Sequence, residues 1–130
     1  MKDSLVFKEI KDNRGALVAI EAEKDIPFGI KRVYYIYGTA EKVRRGYHAH
    51  HELQQLAVCV KGACTFLLDD GNKKEILRLE TPNKGVLINK MVWHEMYDFT
   101  DDCVLMVLAS DHYKEDDYIR DYDEFVDLLG

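Results

Sequence analysis

The chain has 130 residues, the usual length of one domain, and its 47% hydrophobic and 32% charged residues are ordinary for a globular protein. Its formal net charge of −6 argues against a nucleic-acid surface, because duplex binding depends on neutralising phosphates. Residues 1–7 lack the apolar core of a signal peptide, and no apolar run approaches the roughly 20 residues that cross a bilayer. We therefore predict one cytoplasmic domain, residues 1–130, with no nucleic-acid or membrane partner.

Most of the chain consists of short runs of β-branched, aromatic and aliphatic residues separated by turn residues, which predicts an all-β barrel or sandwich. Residues 12–15 and 69–72 are the clearest turns. Nine or ten strands are predicted, covering residues 6–10, 16–20, 31–37, the segment around His48 and His50, 56–60, 63–68, 76–79, 85–88, 94–99 and 104–109.

The last part of the chain changes its hydrophobic period. Apolar residues recur there at helical spacing, at Ile119, Tyr122, Phe125, Val126 and Leu129. Asp116 and Asp117 stand where a helix N-terminus favours negative charge. This pattern predicts a C-terminal α-helix packed on the outside of the barrel.

Three cysteines, Cys59, Cys64 and Cys103, lie in apolar stretches and form no CxxC pair. This placement predicts buried, reduced thiols.

His48 and His50 stand two residues apart, so both rings of a strand carrying them face one side. The HxH pair, followed by Gln55 and then Gly62, has the spacing of the first conserved box of the cupin barrels, where a metal-binding glutamate stands in place of Gln55. Three readings are open. The histidines are structural, or they bind a metal with His94 as the later histidine, or they are neutral general bases with a pKa near about 6.5. An amide in place of the carboxylate favours the last, with no metal and no cofactor.

A strand over residues 31–37 places Arg32 and Tyr34 on one face, opposite Tyr35 and Tyr37. The planar fork of Arg32 suits a phosphate, and Arg45 could offer the same from the barrel mouth. Trp93 and His94 occupy the place of the second cupin box. Packing explains Trp93 adequately. His94 could equally belong to the site or lie on the surface.

Several longer strings resemble one family, the TDP-4-keto-6-deoxy-D-glucose 3,4-ketoisomerases, which are the sugar ketoisomerase branch of the cupins. The resemblance covers residues 7–125. It is carried by DIPF (25–28), IKRVYYI (30–36), RGYHAH (45–50), VWHEM (92–96), VLAS (107–110) and DYIR (117–120).

This resemblance implies a cupin-type β-barrel, or jelly roll, that works without metal as a homodimer with exchanged N-terminal strands, in deoxyamino-sugar pathways of bacterial surface glycans. It places the catalytic pair on Tyr34 and His48. His50 is the second histidine of the motif, Arg45 is the arginine before the Gly-aromatic-His string, and a histidine at position 94 is expected to favour a galacto-configured product.

The expected function is therefore conversion of TDP-4-keto-6-deoxy-D-glucose to a TDP-3-keto-6-deoxyhexose by proton transfer through an enediol. His48 is expected to take the carbon proton and Tyr34 to move the oxygen proton, with His50 and His94 orienting the sugar. The residues expected to bind the substrate are Arg32 and Arg45 at the diphosphate, Gln55 and Trp93. The alternatives are a metal-dependent cupin such as a dioxygenase, and a non-catalytic sugar-binding barrel.

Overall fold

The computed structural model describes residues 3–130; Met1 and Lys2, which belong to the predicted domain 1–130, lie outside them. Twelve strands and one α-helix follow one another in this part of the chain. They are β1 (Ser4–Val6), β2 (Glu9–Asp12), β3 (Gly15–Val18), β4 (Arg32–Tyr37), β5 (Arg45–His50), β6 (Gln55–Lys61), β7 (Cys64–Asp69), β8 (Lys74–Leu79), β9 (Lys84–Ile88), β10 (Trp93–Tyr97), β11 (Val104–Ala109), β12 (Tyr118–Ile119) and α1 (Tyr122–Leu128).

The strands form two five-stranded antiparallel sheets and a separate hairpin. One sheet has the order β1-β9-β6-β11-β4, the other has the order β12-β5-β10-β7-β8, and the hairpin is β2-β3. The main core contains side chains from both sheets, among them Phe66 on β7 and Leu105 on β11, which are at most 1% exposed. The predicted all-β architecture with a C-terminal helix is confirmed.

Most strand bounds fall within a few residues of those predicted, but the run over residues 6–10 is divided. Phe7 leaves the strand, donates its backbone N–H to the carbonyl of Asn83 at 2.7 Å, and buries its ring in a second core on the outer side of the first sheet. Because Phe7 is drawn inward, the chain forms β1 and β2 as two strands.

The predicted helix is correct in kind but begins later. Asp121 is its N-cap, and the Asp121 carboxylate accepts the backbone N–H groups of Asp123 and Glu124 at 2.9 and 3.2 Å. Ile119, expected in the helix, instead pairs with Ala49 as part of β12.

Asp117 is therefore not at the N-terminus of the helix. It ends a 3-10 turn (Glu115–Asp117), and its carboxylate accepts the backbone N–H groups of Glu52 at 3.0 Å and Leu53 at 3.2 Å. These bonds fix the segment after β5 beside the C-terminal segment.

Among residues 3–130, no helix has the length and apolar character required to span a bilayer. The cytoplasmic location stays a prediction.

Candidate functional site

A cavity of about 220 Å³ opens between the two sheets. Its walls come from β4, β5, β10 and β12. They consist of Arg32, Tyr34, Ile36, Arg45, Gly46, His48, His94, Met96 and Tyr118.

Strand β4 supplies one wall by simple alternation. Arg32 and Tyr34 point inward, whereas Val33, Tyr35 and Tyr37 are exposed to 53%, 64% and 70%. The predicted division of the tyrosines is confirmed, and Tyr34 is the tyrosine of this cluster that faces the cavity.

A β-bulge in β5 aims His48. Gly46 pairs with Glu95 and His48 pairs with His94, so two residues of β5 advance against one of β10, with Tyr47 as the extra residue. Gly46 has φ 91°, and a Cβ there would lie 2.7 Å from the carbonyl oxygen of His94. Only glycine fits this close approach, which places the two histidines directly opposite each other.

The tautomer of His48 follows from its contact with the backbone. Its Nδ1 lies 3.1 Å from the carbonyl oxygen of Gly46, which can only accept, so Nδ1 carries the hydrogen. The lone pair is then on Nε2. His94 has the same arrangement, with Nδ1 3.3 Å from the carbonyl oxygen of Val92.

The three imidazoles form one neutral cluster. The ring centroid of His48 lies 4.6 Å from that of His94 and 5.0 Å from that of His50. Burial lowers the pKa of His48 to about 4 and the pKa of His50 to about 3, and it lowers the pKa of His94 well below its usual value. The expectation of a pKa near the reference value was wrong, because desolvation disfavours the charged ring.

His50 and His48 do not line the same cavity. His50 is 2% exposed and borders a neighbouring cavity of about 380 Å³, with which the first shares Arg32 and Tyr118. The prediction that both rings of the HxH pair face one side of the strand is confirmed, with the ring centroids 5.0 Å apart. His50 is the more buried of the two and borders the adjoining cavity.

Gln55 holds Tyr34. The Tyr34 hydroxyl donates to Oε1 of Gln55 at 2.6 Å, and burial raises the pKa of Tyr34 to about 12. Gln55 is 2% exposed and does not line the cavity. The structure thus places Gln55 behind Tyr34 and not at the cavity surface, where a substrate-binding residue was predicted.

Trp93 also lies elsewhere. Its ring is 4% exposed and packs against Tyr122 and Phe125 of α1, and its Nε1 donates to Oε2 of Glu95 at 3.0 Å. Because His94 faces the cavity, its strand neighbour Trp93 must face the opposite side. The predicted substrate-binding role of Trp93 is corrected to a structural one.

Two arginines bring positive charge to the cavity. The guanidinium of Arg32 lies 5.2 Å from the centroid of the Tyr34 ring, and its buried Nε has no hydrogen-bond partner within residues 3–130. Arg45 lines the same cavity. Arg44, by contrast, is held by Glu95 at 3.0 Å and lies over the Tyr97 ring.

Sequence reasoning missed Tyr118. Its ring centroid lies 5.0 Å from that of His48 and 4.4 Å from that of His50, and the guanidinium of Arg120 lies over it at 4.2 Å. The pairing of β12 with β5 brings Tyr118 here from a part of the chain predicted to be a helix start. Spacing along the sequence gave no signal for it.

The histidine cluster also has the geometry of a metal site. One ring nitrogen from each of His48, His50 and His94 lies within 4.8 Å of the others. The cupin carboxylate is missing, since its position holds Gln55, whose oxygen is already bonded to Tyr34.

The chain matches one family model and one curated relative over nearly its whole length. Residues 2–130 match the family model FdtA, described as WxcM-like, C-terminal. A curated relative named TDP-4-oxo-6-deoxy-alpha-D-glucose-3,4-oxoisomerase, from Aneurinibacillus thermoaerophilus, is 56% identical over 119 residues, which are 92% of this chain and 86% of the relative.

Solved structures of 3,4-ketoisomerases also superpose closely on this chain. A 3,4-ketoisomerase from Helicobacter canadensis superposes with a TM-score of 0.94 at 48% identity, over 97% of this chain and 95% of that one. A His-to-Asn variant of the 3,4-ketoisomerase QdtA from Thermoanaerobacterium thermosaccharolyticum, in complex with TDP-4-keto-6-deoxyglucose, gives 0.93 at 45% identity, over 96% and 91%.

Proposed function

Since the chain belongs to the FdtA family and is a nucleotide-sugar 3,4-ketoisomerase, we propose that it converts TDP-4-keto-6-deoxy-D-glucose to a TDP-3-keto-6-deoxyhexose. The reaction removes the proton from C-3, passes through an enediol, transfers a proton from O-3 to O-4 and adds a proton at C-4. One observation carries the proposal: a neutral His48 with an available Nε2 lone pair shares a cavity with Tyr34.

His48 takes the proton from C-3. Its Nδ1–H is fixed on the Gly46 carbonyl, so Nε2 is the nitrogen that accepts. The low pKa of His48, about 4, keeps the ring neutral at pH 7. The protonated ring then returns a proton to C-4, and a positioned base of this kind typically contributes about 10² to 10⁴-fold.

Tyr34 moves the oxygen proton. Its hydroxyl has one hydrogen and two lone pairs, and donation to Gln55 leaves the oxygen ready to accept from the O-3 hydroxyl. With a pKa of about 12, the phenol stays protonated, and its single hydrogen turns from Gln55 to O-4 as charge develops there. Tyr34 thus gives one proton and receives one, and it ends the cycle unchanged.

His94 and His50 orient the sugar and the base. His94 stands edge-on to His48 from the facing strand, so it borders the space in which C-4 is protonated. We assign the galacto product to this arrangement. His50 packs behind His48 and limits how far that ring can turn.

Arg32 and Arg45 bind the diphosphate. A cavity of about 220 Å³ is smaller than the roughly 300 to 1,000 Å³ of pockets that enclose a whole drug-sized ligand, so it suits the hexose with the nucleotide outside. Both arginines line that cavity, and the unpartnered Nε of Arg32 has a donor to offer.

The reaction is proposed to need no metal. His48, the base, can accept a carbon proton only with its Nε2 lone pair unbound, and the position of the cupin carboxylate is an amide committed to Tyr34. Treatment with a chelator followed by desalting is expected to leave turnover unchanged. Loss of turnover that stoichiometric iron, manganese or zinc restores would contradict this.

We propose a homodimer with exchanged N-terminal hairpins, because one chain leaves apolar side chains exposed on its hairpin and on an edge strand. Hairpin β2-β3 pairs with neither sheet, and a hairpin alone is marginally stable in water. Ile10 and Leu17 on it are 57% and 56% exposed, and β4, an edge strand, exposes Val33, Tyr35 and Tyr37. A second copy would cover both apolar surfaces.

Light scattering tests the dimer. We expect the mass of two chains for the wild type and of one chain for Tyr35→Asp, which places a charge on that surface. Glu9→Asp on hairpin β2-β3, which leaves the charge of the surface unchanged, is the control. A wild-type mass of one chain at micromolar concentration would refute the dimer.

The activity is tested by proton NMR of TDP-4-keto-6-deoxy-D-glucose incubated with the protein in deuterated water, with a 3-aminotransferase and its amino donor as the trap. We expect deuterium at C-4 of a TDP-3-amino-3,6-dideoxyhexose. The H-4 coupling in a light-water sample distinguishes galacto from gluco. Unchanged substrate without exchange at C-3 would rule out this substrate.

A further inference from the structure

A second cluster of three like side chains lies at the other end of the barrel. Sγ of Cys59 is 3.5 Å from Sγ of Cys64 and 3.7 Å from Sγ of Cys103, and all three sulfur atoms lie within 4.8 Å of one another. The three residues are free thiols, at most 4% exposed, as the sequence predicts. We call them the thiol cluster.

The thiol cluster is separate from the histidine site. Cys59 and Gln55 are both on β6, four residues apart, which is about 13 Å along a strand. The side chains between the two ends belong to the main apolar core. A ligand at the thiol cluster would therefore not touch the reacting sugar.

A glycine turn holds the three sulfur atoms together. Gly62, between β6 and β7, has φ 69°, and a Cβ there would lie 2.4 Å from Oγ1 of Thr100 and 2.7 Å from Cα of Cys103. The backbone amide of Ala63 also donates to Oγ1 of Thr100 at 2.9 Å. These contacts press the segment that carries Cys103 onto the hairpin that carries Cys59 and Cys64.

The spacing of the sulfur atoms matches that of a three-coordinate thiolate site. With metal–sulfur bonds of about 2.3 Å, a planar ion spaces its three sulfur atoms about 4.0 Å apart. The observed separations of 3.5 and 3.7 Å need to open by only a few tenths of an ångström.

The ligand set selects the ion. Thiolates favour soft ions such as monovalent copper and also zinc, but structural zinc almost always has four ligands. Within residues 3–130, no fourth histidine, cysteine, aspartate or glutamate brings a ligand atom within 4.8 Å of all three sulfur atoms. We propose that the thiol cluster is a binding site for one monovalent copper ion.

Binding must displace protons. The hydrogen bond from Cys64, together with burial, raises the pKa of the Cys59 thiol, and burial raises the pKa of Cys103 to about 12. Each thiol that coordinates copper releases its proton to solvent, so affinity increases with pH.

The experiment is an anaerobic competition for monovalent copper between the reduced protein and bathocuproine disulfonate at pH 6 and pH 8. We expect one equivalent retained by the wild type, more tightly at pH 8, with X-ray absorption showing three sulfur neighbours at about 2.3 Å. Cys59→Ala should bind at least about 100-fold more weakly, as should Cys103→Ser.

The control is His48→Asn, which alters the histidine cluster and should retain copper like the wild type. Ketoisomerase activity of the cysteine variants shows that they are folded, since no thiol touches the sugar site. The proposal is overturned if the wild type retains no copper, if folded Cys59→Ala retains as much as the wild type, or if nitrogen neighbours replace sulfur in the spectrum.

Discussion

The two ends of this barrel each hold three like side chains, and they differ in what surrounds them. At one end, His48, His50 and His94 border cavities and are kept neutral by burial. At the other, the three thiols border no described cavity and are at most 4% exposed. Burial therefore makes the histidines available as bases and the thiols unavailable as nucleophiles, because it favours the neutral form of both.

The largest expected effect on activity is at the end of the barrel that holds the histidine cluster. His48→Asn removes the base while keeping a polar side chain of similar shape, and we expect kcat to fall by about 10² to 10⁴-fold with little change in KM. His112→Asn is the matched control, since His112 does not line the sugar cavity. Steady-state kinetics by coupled assay measures both, and near-normal turnover of His48→Asn would remove the assignment.

Gln55→Leu tests whether Gln55 acts through Tyr34. Loss of the 2.6 Å hydrogen bond should lower kcat by about tenfold, the equivalent of about 1.4 kcal/mol for one bond. The same change in a Tyr34→Phe background should have no further effect, because no hydroxyl remains to position. Additive losses would instead indicate that Gln55 contacts the substrate.

Acid should destabilise the protein through the histidine cluster. The folded-state pKa values of His48 and His50 are about 4 and about 3, below the reference value of 6.5, so the unfolded chain takes up protons first. The free energy of unfolding should therefore decrease as pH falls from 6.5 toward 4, by up to about 1.4 kcal/mol per unit for each histidine.

Urea unfolding of the wild type and His50→Asn across this range measures the effect. The raised pKa of Asp3, about 6, acts in the opposite direction between pH 3.8 and 6, and it is common to both proteins. The pH slope should be smaller in the variant. Equal slopes would mean that His50 is protonated in the folded protein.

The smallest expected effect on catalysis is at the end of the barrel that holds the thiol cluster. Cys59→Ala removes a sulfur atom that is fully buried, which should cost about 1 to 2 kcal/mol of stability while leaving kcat within about twofold of the wild type. Thermal unfolding and the coupled assay measure the two quantities. A large loss of kcat in a folded protein would show that the two ends are coupled.

The sequence by itself determined the local features. Alternation placed Arg32 and Tyr34 inward and Tyr35 and Tyr37 outward, apolar surroundings predicted buried thiols, and turn residues marked nearly all strand bounds. These features depend on residues close along the chain, whose geometry is set by the period of a strand or the conformation of a turn.

The tertiary structure alone decided which side chains meet. Tyr118 reaches His48 through the pairing of β12 with β5, Gln55 contacts Tyr34 rather than the cavity, and Trp93 lies under α1. Each follows from long-range packing. The lowered histidine pKa values have the same origin, because desolvation depends on how many atoms from other strands surround a ring, and no spacing along the sequence records that number.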